Sequence, residues 1–431
     1  RPSDGNVAVT SQPAGATVRL GGAYRGETPL DLSLEPGREH VLRFEKAGHT
    51  AVERRVQLKP GEAQEVHAEL AEEIGELELS VFPADARVRL NGVEVSARRL
   101  RLPTARDHRL EVDRDGYVAQ ALDVRAGAGD VQRVDIRLET AEAKRERTIQ
   151  SLDRTSEGQA LRLIEPGRFQ MGASRRESGR RANETLREVE ITQRFYLSAH
   201  EVTNAQFRRF RPDHRSGAIG DFSLDLDDHP VVRVTWEDAV AYCNWLSQKE
   251  GLEPAYVKEG ETWVAKSFDG APPSGYRLPT EAEWAWTARY PQGGPGKGLK
   301  YPWGGALPVP AKAGNFADAS AAELVSAVLP DYRDGFAATA PVDAFPANAR
   351  GVHQLGGNVA EWVHDIYVVR PALIGAIERD PRGPKTGEFH VIRGSSWLHS
   401  TVTELRLSFR DYGADKRQDV GFRLARPAIA P

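Results

Sequence analysis

Sulfur is almost missing from this chain, with one cysteine, Cys243, and one methionine among 431 residues. A lone thiol closes no intramolecular disulfide and excludes a cysteine-rich zinc site. Long apolar runs are missing too, since nothing approaches the roughly 18 consecutive apolar residues that cross a bilayer. The opening Arg1-Pro2-Ser3 does not read as a signal peptide. The chain is therefore expected to begin as a processed product, with any signal or anchor upstream of it. Basic excess is absent, because 58 Lys and Arg face 62 Asp and Glu for a net charge of −4. With no surplus to neutralise a phosphate backbone, nucleic acid is not an expected partner. No HExxH, P-loop, GxSxG or GxGxxG in strand–helix context occurs. The glycine-rich residues 293–300 lie in a Pro/Gly loop rather than before a helix, so phosphate binding is not expected there.

What is present is enough chain for two to four domains. Residues 11–22, SQPAGATVRLGG, are echoed at 81–92 by VFPADARVRLNG, which marks two tandem units. Short alternating runs such as Thr17-Val18-Arg19-Leu20 and Val41-Leu42-Arg43-Phe44 have the period of half-buried strands, and Gly and Pro punctuate them. Small antiparallel sandwiches are predicted over 1–71 and 74–139. The pattern PAGA-x-V-x-L-GG, then G-x-TPL, then PG, then Gly48-His49 resembles PEGA domains, small β modules of bacterial envelope proteins. The second copy carries Gly116-Tyr117 but reads VSARR at 95–99 in place of G-x-TPL.

Residues 140–154, TAEAKRERTIQSLDR, are charged and poor in large apolar groups, which predicts a linker carrying a short exposed helix. From 155 to 431 the text turns irregular and loop-rich, and an α+β domain is predicted. Thr203-x-x-Gln206, Thr235-x-x-Asp238 and Thr280-x-x-Glu283 each place a capping hydroxyl three residues ahead of a side-chain acceptor, so three short helices should start there.

Segments of this last domain resemble the formylglycine-generating enzyme (sulfatase-modifying factor) family over about residues 160–428. They are EVTNAQF (201–207), HPVVRVTWEDAVAYCNWLS (229–247), YRLPTEAEWAWTAR (276–289), YPWG (301–304), DGFAATAPVDAFPANARGVHQLGGNVAEW (334–362), IRGSSWLHSTVTELRLSFR (392–410) and DVGFRLA (419–425). The resemblance implies two calcium sites, one at Asn315, Phe316, Asp334 and Phe336, and one at Gln354, Gly357, Val359 and Glu361. Gln354 stands where the family has Asn or Asp. Side-chain oxygens mixed with backbone carbonyls suit that hard cation. Without metal, Asp334 and Glu361 would cap turns by hydrogen bonding.

The resemblance also implies copper(I) on two cysteines, used to oxidise a substrate cysteine to formylglycine. Those cysteines fall on His399 and Glu404, and a family tryptophan nearby falls on Ala360. Neither replacement offers the soft thiolate that copper(I) favours, so copper and the family oxidation are not expected. Cys243 falls on an apolar helical stripe with Trp236, Ala239, Val240 and Leu246, which predicts a core residue rather than a reactive thiol. His399 and Glu404 are a candidate new metal or acid/base pair, with His364 and Asp365 as candidate companions. Ser396 and Trp397 lie on the segment expected to line the inherited groove, Trp397 as an exposed contact for peptide or glycan.

The expectation is thus a non-catalytic binding or scaffold protein of a bacterial periplasm or cell surface. It would use a degenerate, calcium-stabilised domain to recognise a protein or peptide partner in an envelope assembly. The alternative is an oxidative enzyme of altered chemistry with a metal near His399.

Overall fold

The computed structural model describes residues 4–129, 131–151, 154–260, 262–266, 272–294, 296–369 and 375–429. They form two compact units, Arg1–Glu146 and Arg147–Pro431.

Alternation builds the first unit. Strand β1 (Gly5–Gln12) buries Val7 and Val9 while Asn6 and Thr10 face out, as the two-residue side-chain period requires. With β2 (Thr17–Leu20), β3 (Ala23–Glu27), β4 (Leu30–Leu34), β5 (Glu39–Glu45), β6 (Val52–Gln57) and β7 (Ala63–Glu69) it makes two sheets, ordered β4-β1-β7 and β3-β2-β5-β6. Val7, Val18, Leu42, Phe44 and Val56 meet between them. The same sequence of strands follows as β8 (Ile74–Phe82), β9 (Arg87–Leu90), β10 (Val93–Glu94), β11 (Arg99–Pro103), β12 (His108–Asp113), β13 (Gln120–Val124) and β14 (Val131–Arg137). Their order, β11-β8-β14 and β10-β9-β12-β13, repeats the first module strand for strand.

One prediction needs correction. The sandwiches are not purely antiparallel, because β7 lies parallel to β1 and β14 parallel to β8. Parallel neighbours need a long crossover, and the passage through the opposite sheet supplies it. The modules also differ where the second lacks G-x-TPL. In the first, the buried Thr28 hydroxyl accepts from the Ala16 amide at 3.0 Å and meets the Ser11 hydroxyl. Without that tie β10 has two residues, against five in β3.

Helix α1 (Ala141–Ser151) occupies the predicted linker. In the second unit Ile149 joins the core, and its carbonyl accepts from the Tyr196 hydroxyl. All three predicted capping boxes form, opening α2 (Asn204–Phe210), α3 (Trp236–Lys249) and α4 (Glu281–Arg289). These helices pack on short sheets. One holds Leu161–Ile164, Phe195–Ser198 and Ala425–Pro427, and another Gly167–Met171, Arg187–Ile191 and Ile377–Arg379. A third, four-stranded sheet runs Arg410–Gly413, His390–Arg393, Ala360–Ile366, Val420–Phe422. Loops join them and carry most of the site residues.

Candidate functional site

Calcium's first predicted set comes together. The Asn315 amide nitrogen donates to the Ala338 carbonyl at 2.8 Å and to Asn358 Oδ1 at 3.0 Å. Its own Oδ1 is buried without a hydrogen-bond partner. The Asp334 carboxylate accepts from the Phe316 and Phe336 amides, each at 2.9 Å, which ties the loop at 315–316 to the loop at 334–336. Burial, and Asp318 alongside, push the Asp334 carboxyl up to about 7. Asp334 therefore caps turns, as the simpler reading holds. The residue set also fits a cation, since an orphaned amide oxygen and a carboxylate short of counter-charge are what a hard metal completes.

The second set is built around an arginine. Arg423 clasps Glu361 from Nε to Oε2 at 2.8 Å and from Nη2 to Oε1 at 2.6 Å, and Trp284 Nε1 adds a bond at 2.9 Å. Gln354 has a left-handed backbone, φ 54°, and its amide nitrogen has no partner. Gly357 and Val359 lie buried beside it. Both Glu361 oxygens are engaged, so the positive charge at this spot already belongs to the protein. Sequence reasoning missed Glu201, whose carboxyl burial raises to about 8, with Glu361 adding to the rise and Arg423 opposing it. Its presence in EVTNAQF was the available signal.

At the positions of the absent cysteines, His399 Nε2 stands 4.0 Å from Glu404 Oε1, beyond hydrogen-bond length. His399 Nδ1 accepts from the Ser396 amide at 3.0 Å. The neutral ring therefore carries its proton on Nε2, and burial lowers the imidazole's pKa. A metal on Nε2 would need the lone pair there and a donor N–H on Nδ1. The surrounding backbone imposes the reverse tautomer. Behind the ring, the Ser396 hydroxyl donates to Asp419 at 3.0 Å, and Arg417 pairs with Asp419 and Asp411.

Two expectations fail here. Trp397 is fully buried, packed with Leu224, Val232, Ala338 and Val359, so it is an anchor and not an exposed groove contact. His364 and Asp365 do not join His399: the ring bonds the Tyr256 hydroxyl at 3.0 Å, and Asp365 accepts from the Glu281 amide at 2.7 Å. Both are committed to these partners, on a strand whose pairing is irregular between Trp362 and Ile366. Ala360 is buried in its strand. Cys243 is fully buried in the apolar cluster, and that burial raises its thiol pKa.

A loop-rich α+β domain with capped helices and this order of motifs, preceded by PEGA-type β sheets, defines a class. The chain belongs to the sulfatase-modifying factor enzyme 1-like family, whose domain model matches residues 146–428, and a PEGA domain model matches 4–74. It is 36% identical over 175 residues to the formylglycine-generating enzyme of Bos taurus, covering 41% of this chain and 37% of that protein. Thus the chain spans little more than a third of that relative's length. It is 30% identical over 257 residues to the chaperone protein LppX of Paenibacillus barcinonensis, covering 56% of this chain and 80% of that one. The structure of PvdO from Pseudomonas aeruginosa matches with TM-score 0.47 at 25% identity, covering 63% of this chain and 95% of that one.

Proposed function

We propose that this protein is a non-catalytic recognition or scaffold component. Its formylglycine-generating-enzyme-like domain is stabilised by one calcium ion at Asn315, Phe316, Asp334 and Phe336 and binds a protein or peptide partner. The observation that carries the reading is that His399 and Glu404 stand where the family's copper thiolates fall, while the only thiol, Cys243, is sealed in the core. Copper(I) has no soft ligand there. The Nδ1 bond to Ser396 disfavours a metal on His399 as well. Similarity to a protein named as a chaperone supports a role in contacting other proteins. Among the described residues no helix is long and apolar enough to cross a membrane.

A compartment rich in calcium suits a site of this kind. That chemistry and the PEGA match together support an envelope location, periplasmic or at the cell surface. Metal analysis of the intact chain after dialysis against calcium and copper(I) tests the reading. One calcium per chain, lost in Asp334→Ala, with no bound copper is the expected result. Stoichiometric copper(I) displaced by a thiol chelator would overturn it.

A further inference from the structure

Away from these positions, arginines stand at both ends of α4: Arg187, Arg393 and Arg410 surround its first residue, Glu281, and Arg289 is its last. Arg393 donates to Glu281 Oε1 at 2.7 Å, Arg410 bonds both Glu281 oxygens, and Arg187 Nη2 stands 3.8 Å from Oε2. Arg289 donates to the Leu299, Gln170 and Gly172 carbonyls, the last at 2.6 Å. Facing these cations are Glu281, Glu378, which pairs with Arg187 at 2.9 Å, and Asp365. Burial and Glu281 push the Asp365 carboxyl up to about 7. Glu177 and Glu184 are bonded to Arg406. Burial also depresses the pKa of Arg289 and Arg393, as expected of cations short of counter-charge.

Between these groups lies a cavity of about 20 Å³ lined by Met171, Gly172, Asn183, Arg187, Arg393 and Arg410. Two of its arginines hold N–H groups without a strong acceptor. Arg393 Nε has no partner although the residue is 1% exposed, and Arg187 Nη2 has the Met171 thioether at 3.3 Å and the Glu281 carboxylate only at 3.8 Å, beyond hydrogen-bond length. Gly172 adopts φ 89°, and a Cβ there would lie 2.2 Å from the Thr185 carbonyl oxygen, so only glycine lets the backbone close the cavity wall. Such a volume admits one water-sized guest.

We propose that this cavity binds a single monovalent anion of chloride size, held by Arg187 and Arg393. A guest with negative charge satisfies the orphaned Arg393 Nε and the weakly engaged Arg187 Nη2, and offsets the excess of guanidinium over carboxylate. Water satisfies the donors and can donate to Asn183 Oδ1, but it leaves the charge excess in place. Asn183 Oδ1, also unpartnered, repels an anion, so the guest sits toward the arginine side.

The test uses the full chain and inorganic halides. Crystals grown in bromide should show an anomalous peak between Arg187 and Arg393. Replacing gluconate by chloride at fixed ionic strength should raise Tm by about 2–4 °C for each tenfold excess over Kd. Arg187→Gln should lose the increment while its Tm in gluconate stays measurable. Arg168→Gln, an exposed change, should keep it. No bromide peak together with equal Tm in both salts would overturn the proposal and leave water as the occupant. The outcome is independent of calcium and of partner binding.

Discussion

The two units of this chain solve the burial problem with different materials. In the β modules hydrocarbon fills the interior and charge stays outside: Arg19 and Glu45 pair at 3.0 Å with 42% and 36% of their side chains exposed. In the second unit charge runs through the core, with Arg423–Glu361, Arg393–Glu281 and Arg406–Glu184 all at most 2% exposed. Short helices and loops expose many backbone groups, and buried guanidiniums satisfy them in numbers, as when Arg423 donates to the Ser198 and His353 carbonyls. A sandwich with paired strands has fewer such groups to satisfy. The contrast shows where stability is vulnerable to loss of one charge and where it is not.

The largest effect is expected from Glu281→Gln, which strands Arg393 and Arg410 without changing size. It should cost about 3–5 kcal/mol or prevent folding of the second unit, read by denaturant unfolding. Glu45→Gln in the first module should leave the unfolding midpoint within error, because that pair lies in water. Trp397→Ala should cost about 3–5 kcal/mol as a core deletion. Retained stability with lost partner capture would restore the exposed-groove expectation.

Calcium sharpens the same contrast. A hundredfold excess over Kd should add about 2–3 kcal/mol to the second unit, and Asp334→Ala should remove that gain while differing less from wild type in chelator. The pH dependence has a definite sign. In the folded state Asp334 titrates near 7, above the 3.8 of an ordinary aspartate, so without calcium its contribution to stability is present at low pH and is lost as pH rises through 7. Calcium competes with that proton. Its stabilisation should therefore grow from pH 5 to 8 in thermal scans, and a flat response would argue against Asp334 as a ligand.

A smaller loss is expected from Thr28→Val, which leaves the Ala16 amide without its acceptor. It should cost about 1–2 kcal/mol in the first module, with no equivalent residue in the second to lose.

The sequence made the local features plain. Period-two runs located the module strands, the repeat identified the second copy, and each Thr-x-x-acceptor triplet became a capping box. These signals lie within a few residues of one another. The failures involve partners distant in the chain. Trp397 is covered by residues from four other segments, and the β1–β7 pairing joins the two ends of a module. Arg393 and Arg410 sat in a quoted motif, but nothing local shows that both aim at Glu281. His399 and Glu404 were recognised as a pair from the motif's spacing, whereas the tautomer that disfavours metal depends on a backbone amide that no composition reveals.

The central claim is that the family's oxidative chemistry is gone while its framework remains. Incubating the calcium-loaded chain with copper(I), oxygen and a cysteine-containing peptide, and reading the peptide by mass spectrometry, tests it most directly. The account predicts unmodified cysteine at every time point. Formylglycine accumulating above an enzyme-free control would contradict it.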